Sequence, residues 1–483
     1  MRAGISRPDG LSLLRHVPPS AAARLHSLGM RFCLSVPTPA AAVVLLLATA
    51  GGLARAAETD APSHDALAAR ARRAGLRVLG GEHLTLITDR PARARDGVDE
   101  LPDVFDTAWA AWCAHYGIEP ARHHDWRAVG CLIVDRERFR AAGLLPDAIP
   151  DFTNGHCHAD RFWLADQSNP DYRRHLLLHE GVHAFTLTVR QLDAPTWYTE
   201  GIAEYLATHR LDDVDGGRRF VSTPMPVRAA DVEQLGRIER VRALRAAGRC
   251  PGLDEVFATT AAEHRDLSDY AVSWAAVAML ARHPRHAAAF AAAERGPLDA
   301  AFTRRLTTSS GWDAALADRD FDAFTDEVDY GYDATRSAVD WSTGRPLAAR
   351  QQATVAGDRG WQNTGWSLDR GRRYAFTATG RCTVGFLSDA ESAADREPRR
   401  LESTADGISL RWYRGRPLGR LLVAQWMEEP PGGGRPRFEV LAAGAGAAFT
   451  AAVDGPVFMK INEPPGELAD NEGRLDLEIK PTE

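Results

Sequence analysis

None of the six cysteines, at positions 33, 113, 131, 157, 250 and 382, forms a CxxC pair. That spacing argues against a cysteine-ligated zinc ribbon or finger. If Cys33 leaves with a leader, an odd number remains. One or two disulfides are open to an exported form, and most of these cysteines are expected as small buried apolar residues. A basic block is missing too. Arginine is interspersed with Asp and Glu, and the formal net charge is −7, so the electrostatic footprint of a nucleic-acid-binding protein is absent. The apolar run at residues 40–50 is too short for a comfortable membrane span.

That run has informative flanks. "MRFCLSVPTPAAAVVLLLATAGGLARAAETD" offers Arg31 near its start, the apolar stretch, and then Ala54-Arg55-Ala56. A basic start, a short apolar core and an A-x-A site are the parts of a secretory signal peptide. Residues 1–56 are therefore expected as leader and signal, with Met30 as an alternative start. The mature protein is expected to be exported to the cell envelope or beyond, without a stable membrane span. The competing reading is an interfacial helix or an uncleaved anchor.

The 483 residues exceed one typical hydrophobic core, so two or three domains are expected. Apolar residues at 45% and charged residues at 25% describe an ordinary globular chain. Over residues 57–335, strand-like runs such as "LRVLGGEHLTLITDR" alternate with helical runs such as "VDELPDVFDTAWAAWCAHYGI". This predicts an α+β unit. Residues 336–350 look like a linker. Beyond them, residues 351–483 show short alternating runs between Gly, Asn and Asp turns, the pattern of a β-sandwich or barrel.

The chemistry concentrates in "SNPDYRRHLLLHEGVHAFTLTV". Asn169 suits an N-cap and Pro170 the first helical position. Four residues apart on a helix, His179 and His183 project from one face, where both imidazoles can reach one ion about 2.0–2.1 Å away. Glu180 points beside that face and can take a proton from water without entering the coordination sphere. Zinc also needs a third protein ligand. "DAPTWYTEGIAEYLATH" supplies one on a second helix starting near Thr196: Glu200 as ligand, with Glu204 one turn on to accept the second ring N–H of a ligand histidine. The alternative is two core histidines with Glu180 satisfied by a neighbour, or an inactive relic of a peptidase. "GHCHADRFWLADQ" places His156 and His158 on one face of a strand, which suits a cleft wall better than a second metal site. His175, one turn before His179, is expected in a supporting or surface role.

HEGVH followed by WYTEGIAEY resembles the gluzincin metallopeptidases, the peptidase MA-like proteins. The resemblance implies a thermolysin-like, mostly helical catalytic domain with a small mixed sheet, binding Zn2+ through His179, His183 and Glu200 with Glu180 as base. The thermolysin branch carries Asp where Glu204 stands. The G-x-M-x-N motif of the related aminopeptidases is absent, which points to an endopeptidase. Metzincins would need Gly and His where Thr186 and Val189 stand. Similar proteins place a tyrosine at the start of a Y-x-x-S-W helix, which makes Tyr270 in "DLSDYAVSWAAVAML" the expected oxyanion donor, with His264 as competitor.

The C-terminal region resembles the bacterial galactose-binding lectin I family through "WQNTGWSLDRGRRYAFTATG", "PLGRLLVAQW" and "VFMKINEPPGELADNEGRLDLEI". That family is a jelly-roll-like β-sandwich with a calcium ion bridging protein and sugar. Its calcium loop falls on Asn462, Glu467, Asp470 and Asn471, while Val384 stands where the family has a tyrosine. The expectation is an exported zinc metallopeptidase acting on peptide or protein substrates, with Ca2+ and a glycan as further candidate ligands. The alternative is a non-catalytic carbohydrate- or surface-binding protein on a degenerate peptidase scaffold.

Overall fold

The computed structural model describes residues 62–93, 96–214, 217–232, 236–264, 266–387 and 399–482. The expected leader lies outside them. The chain begins with α1 (His64–Arg73), β1 (Arg77–Gly80), β2 (Leu84–Thr88), α2 (Leu101–Tyr116), β3 (Ala128–Ile133), α3 (Arg136–Ala141), β4 (Gly155–His158) and β5 (Arg161–Ala165). The strands form one mixed sheet in the order β1-β2-β3-β5-β4. Its centre, β2-β3-β5, is parallel, and β1 and β4 pair antiparallel at the two edges. β2 and β3 are buried along their whole length, which is why LTLIT and AVGCLI run apolar instead of alternating.

Helices follow: α4 (Pro170–Val189), α5 (Thr196–Ala207), the hairpin β6 (His209–Val214) and β7 (Gly217–Ser222), α6 (Arg237–Ala246), α7 (Leu253–Ala258), α8 (Leu267–Arg282), α9 (Ala287–Arg295), α10 (Phe302–Thr307), α11 (Ala314–Glu327) and α12 (Ala334–Ser337). Asn169 caps α4 by accepting from the Tyr172 N–H at 2.8 Å, ahead of Pro170. Every residue from Arg173 to Thr186 is buried, the signature of a helix surrounded by other elements. α5 is buried from Trp197 to Ala207. It packs on α8 so closely that a β-carbon on Gly201 would stand 2.4 Å from the Ser273 carbonyl oxygen.

The last third is β: β8 (Arg345–Pro346), β9 (Gln351–Ala356), β10 (Gln362–Leu368), β11 (Arg373–Leu387), β12 (Arg399–Ser403), β13 (Asp406–Tyr413), β14 (Arg416–Met427), β15 (Arg437–Ala443), β16 (Gly446–Thr450), β17 (Gly455–Ile461) and β18 (Glu472–Pro481). One sheet runs β13-β14-β17-β10-β8 with β15 beside β14; the other runs β12-β11-β18-β9 with β16 beside β11. Tyr374, Phe376 and Leu477 from one sheet and Leu421, Val457 and Met459 from the other share a single core. The fold class is α+β.

The stretch expected as a linker is structured. Its β8 pairs parallel with β10, and Trp341 packs against a separate cluster where Ala323 of α11 meets Trp361, Trp426, Phe438 and Phe458. The described residues all belong to one compact unit. Cys113, Cys131, Cys157, Cys250 and Cys382 are free and buried. Among the described residues no helix is long and apolar enough to cross a membrane.

Candidate metal centre

α4 and α5 bring three ligand atoms together. The Nε2 atoms of His179 and His183 lie 3.1 Å apart. Glu200 Oε2 is 3.4 Å from the first and 3.5 Å from the second. Ligand atoms held about 2.0–2.1 Å from one tetrahedral ion are about 3.3–3.4 Å from each other, so the triangle has the dimensions of a coordination site. His179 Nδ1 lies 3.2 Å from Glu204 Oε1. That carboxylate draws the ring proton to Nδ1 and leaves the Nε2 lone pair facing the triangle. Two imidazole nitrogens and a carboxylate oxygen crowded this closely in a buried site repel unless positive charge sits between them. The residues present fit a divalent cation.

Glu204 has further partners. Arg237, at the start of α6, donates from Nε and Nη2 to its two oxygens at 2.8 and 2.7 Å. His175 Nε2 is 3.2 Å away. Glu180, Glu200 and Glu204 against one guanidinium leave two negative charges when all are ionised, the charge that a divalent ion balances. The carboxylates draw positive charge to this spot: burial disfavours charge on His179, but Glu200 and Glu204 outweigh it and push its pKa up to about 10, and a bound cation would replace that second ring proton on Nε2. Burial likewise opposes ionisation of Glu200, yet His183 and His179 hold it well below the usual carboxylate range.

Glu180 lies beside the triangle, 1% exposed. Burial raises its pKa against the pull of His179 and His183, and its Oε2 has no hydrogen-bond partner. The side chain lies against the edge strand: a β-carbon on Gly155 would stand 2.4 Å from Glu180 Oε1. Tyr270 sits in the first turn of α8, where Asp266 accepts from the Ser268 N–H at 2.5 Å. Its ring centroid is 6.0 Å from that of His179 and 4.4 Å from that of His264. Its hydroxyl is buried without a partner. Burial first, then Glu200, Glu180 and Glu204, push the phenol pKa well above its ordinary value, so it keeps its proton. His264 Nε2 lies 3.3 Å from Ser273 Oγ.

The structure therefore gathers His179, Glu180, His183, Glu200, Glu204 and Tyr270 in one place. His175 is buried beside Glu204, not at the surface. His156 is half-buried on β4, and His158 is exposed. Neither belongs to a group of three convergent metal-capable side chains among the described residues. Another such group, His283, His286 and Asp320, is already satisfied: Asp320 accepts from His286 and Trp341 at 2.8 Å each, and also from Arg285. The expected calcium residues are not gathered in the same way. The Asn462 amide donates to the carbonyls of Tyr413, Arg416 and Pro417. The Asn471 amide donates to the Gly357 carbonyl and to Glu463. Glu467 and Asp470 stand near Glu463, but no three carboxylates converge there among the described residues.

Sequence reasoning missed Arg237 and Gly155. Arg237 stands 33 positions after the carboxylate that it clamps, in a stretch whose pattern shows only an amphipathic helix. Gly155 carries no side chain to notice.

A family model described as "Protein of unknown function (DUF1570)" matches residues 175–299, a minority of the chain that contains the three ligand residues, Arg237 and Tyr270. No curated protein matches this chain. Among solved structures, similarity extends to a PllA-like lectin, the EclA N-terminal domain, at 15% identity over 28% of this chain and 98% of that one, with a TM-score of 0.19. It extends also to PliG of Aeromonas hydrophila, a periplasmic inhibitor of g-type lysozyme, at 8% identity over 30% and 99% of the chains, with a TM-score of 0.16.

Proposed function

We propose that this protein is an exported zinc metallopeptidase of the thermolysin-like (gluzincin) type, acting as an endopeptidase on peptide or protein substrates. One observation carries the reading: the buried triangle of His179, His183 and Glu200 has a carboxylate and a phenol, both unpartnered, at its side. His179, His183 and Glu200 would hold Zn2+, which when bound supplies Lewis acidity toward a carbonyl oxygen and water. Glu180 is placed to take the proton of an attacking water and pass it to the leaving amine. Tyr270 keeps its proton and is placed to donate to the developing oxyanion. Arg237, Glu204 and His175 fix the His179 ring. β4 ends the sheet beside Glu180 and can pair with an extended peptide. The sandwich is assigned no sugar and no calcium, because no three carboxylates converge there among the described residues.

A second reading, a non-catalytic protein on a degenerate scaffold, draws on burial. His179, Glu180, His183, Glu200 and Tyr270 are only 1–5% exposed, so the centre is closed to bulk water. Glu180→Gln separates the two readings. Zinc content and the thermal transition should match the wild type, while cleavage of a proteome-derived peptide library disappears. A zinc-loaded wild type that cleaves nothing in that library supports the second reading.

A further inference from the structure

α6 has two charged ends. Its apolar stripe, Ile238, Val241 and Leu244, is buried, and the helix lies against α8 and α11. Charged contacts at both ends add to this stripe in fixing the register of the helix. The first turn has no side-chain cap; Arg237 instead grips Glu204 with both prongs of its guanidinium. At the other end, Arg245 donates to Asp322 of α11 at 2.9 Å and to the Pro436 carbonyl at 2.5 Å. Arg435, in the Gly-rich loop before β15, donates to the same Asp322 at 2.8 and 2.9 Å and to Asp318 at 2.9 Å. In mid-helix, Arg242 lies 3.3 Å from Asp329, which also accepts from the Tyr413 hydroxyl at 3.1 Å. One helix about 15 Å long thus spans from the support of a metal ligand to the β-sandwich.

We propose that the sandwich sets the metal affinity of the helical region through α6, with Arg435 and Arg245 as positioning residues. Arg435 seats Asp322, the carboxylate that holds Arg245, so releasing the Arg435 clamp lets Asp322 shift and loosens the far end of α6. The helix then shifts along α8, Arg237 loses its two-pronged seat on Glu204, and the orientation of His179 Nε2 loosens. Arg435 and Arg245 touch neither the ligands nor Glu180, so their effect reaches the centre only through Arg237. A claim of transmission requires measured coupling, not proximity. This inference rests on the metal reading above.

The test is a double-mutant cycle on the full chain, with Zn2+ affinity measured by competition against a chromogenic chelator. Arg237→Ala should weaken binding by about 10–100-fold, the usual effect of losing an outer-shell partner. Arg435→Ala should weaken it by about threefold or more, and in the Arg237→Ala background the same change should do almost nothing. Arg435→Lys keeps the charge but not the fork. It should fall between Arg435→Ala and wild type, and it carries the test if the alanine variant fails to fold by circular dichroism. Arg245→Ala repeats the test from the helix side. An Arg435 effect that is absent, or equally large with and without Arg237, overturns the proposal while leaving the zinc site standing. A folded wild type that takes up no Zn2+ overturns the metal reading and this inference with it.

Discussion

Glu463 is a carboxyl that the fold holds against its usual charge. It is 2% exposed, and its Oε1 has no partner. Burial, with Glu467 and Asp470 nearby, outweighs the Asn471 hydrogen bond and pushes its pKa up to about 8 from an ordinary 4.5. Between those two values the folded chain holds a proton that the unfolded chain has released. Stability contributed by this group is therefore full below about pH 4.5, falls as pH rises, and levels off above about pH 8. Glu463→Gln mimics the protonated form at every pH. It should match the wild type near pH 4.5 and exceed it by roughly 3–5 kcal/mol at pH 8, since a tenfold change in proton affinity is worth about 1.36 kcal/mol. Urea denaturation at the two pH values measures this. The same gap at both would mean that Glu463 titrates normally.

At the level of elements, β4 does more than end a sheet. Gly155 has no positive φ to protect, so alanine suits its extended backbone. What alanine cannot do is share space with the Glu180 carboxyl 2.4 Å away. Under the metallopeptidase reading, Gly155→Ala should shift the base by about 1 Å and lower kcat by about 100-fold. KM, zinc content and folding should stay near wild type. Loss of zinc or a large change in KM would place Gly155 in another role. The same contact shows what was legible beforehand. α4 and α5 could be read because their information is local: Asn169 and Pro170 mark a start, and the pairs His179/His183 and Glu200/Glu204 each share a face. Tyr270 was placed by resemblance to a known helix pattern. Arg237 on Glu204 and Gly155 under Glu180 join residues far apart in the chain, and nothing in a sequence pattern reports such a meeting. The stretch at 336–350 reads as a linker because its polar composition hides the three apolar residues that dock, Val339, Trp341 and Leu347, and the two residues of β8.

Across the whole molecule, the composition change near residue 340 suggests two bodies on a tether, but the structure joins them through a built seam. Glu327 of α11 has Lys460 and Arg414 as its cations, both from the sandwich. Burial opposes its ionisation, but they outweigh it and hold the carboxyl below the usual carboxylate range. Asp322 shares Arg435 and Arg245, and Arg319 reaches Glu428 at 2.6 Å. Beside these pairs, Trp361, Trp426, Phe438 and Phe458 pack against Ala323. Separating the halves would return these charges to water, so the loss comes mainly from uncovering the apolar faces of Trp361, Trp426, Phe438 and Phe458; at up to about 1.5–3 kcal/mol for each large side chain, it is comparable with the whole stability of an ordinary domain, about 5–15 kcal/mol. Neither half has the margin to stay folded once the other has melted. Residues 62–482 should therefore unfold in a single calorimetric transition whose van't Hoff and calorimetric enthalpies agree. Chain cut between residues 335 and 351 should yield an N-terminal fragment without a cooperative melt. Two resolved transitions in the intact protein would show that the seam is a surface contact between independent domains.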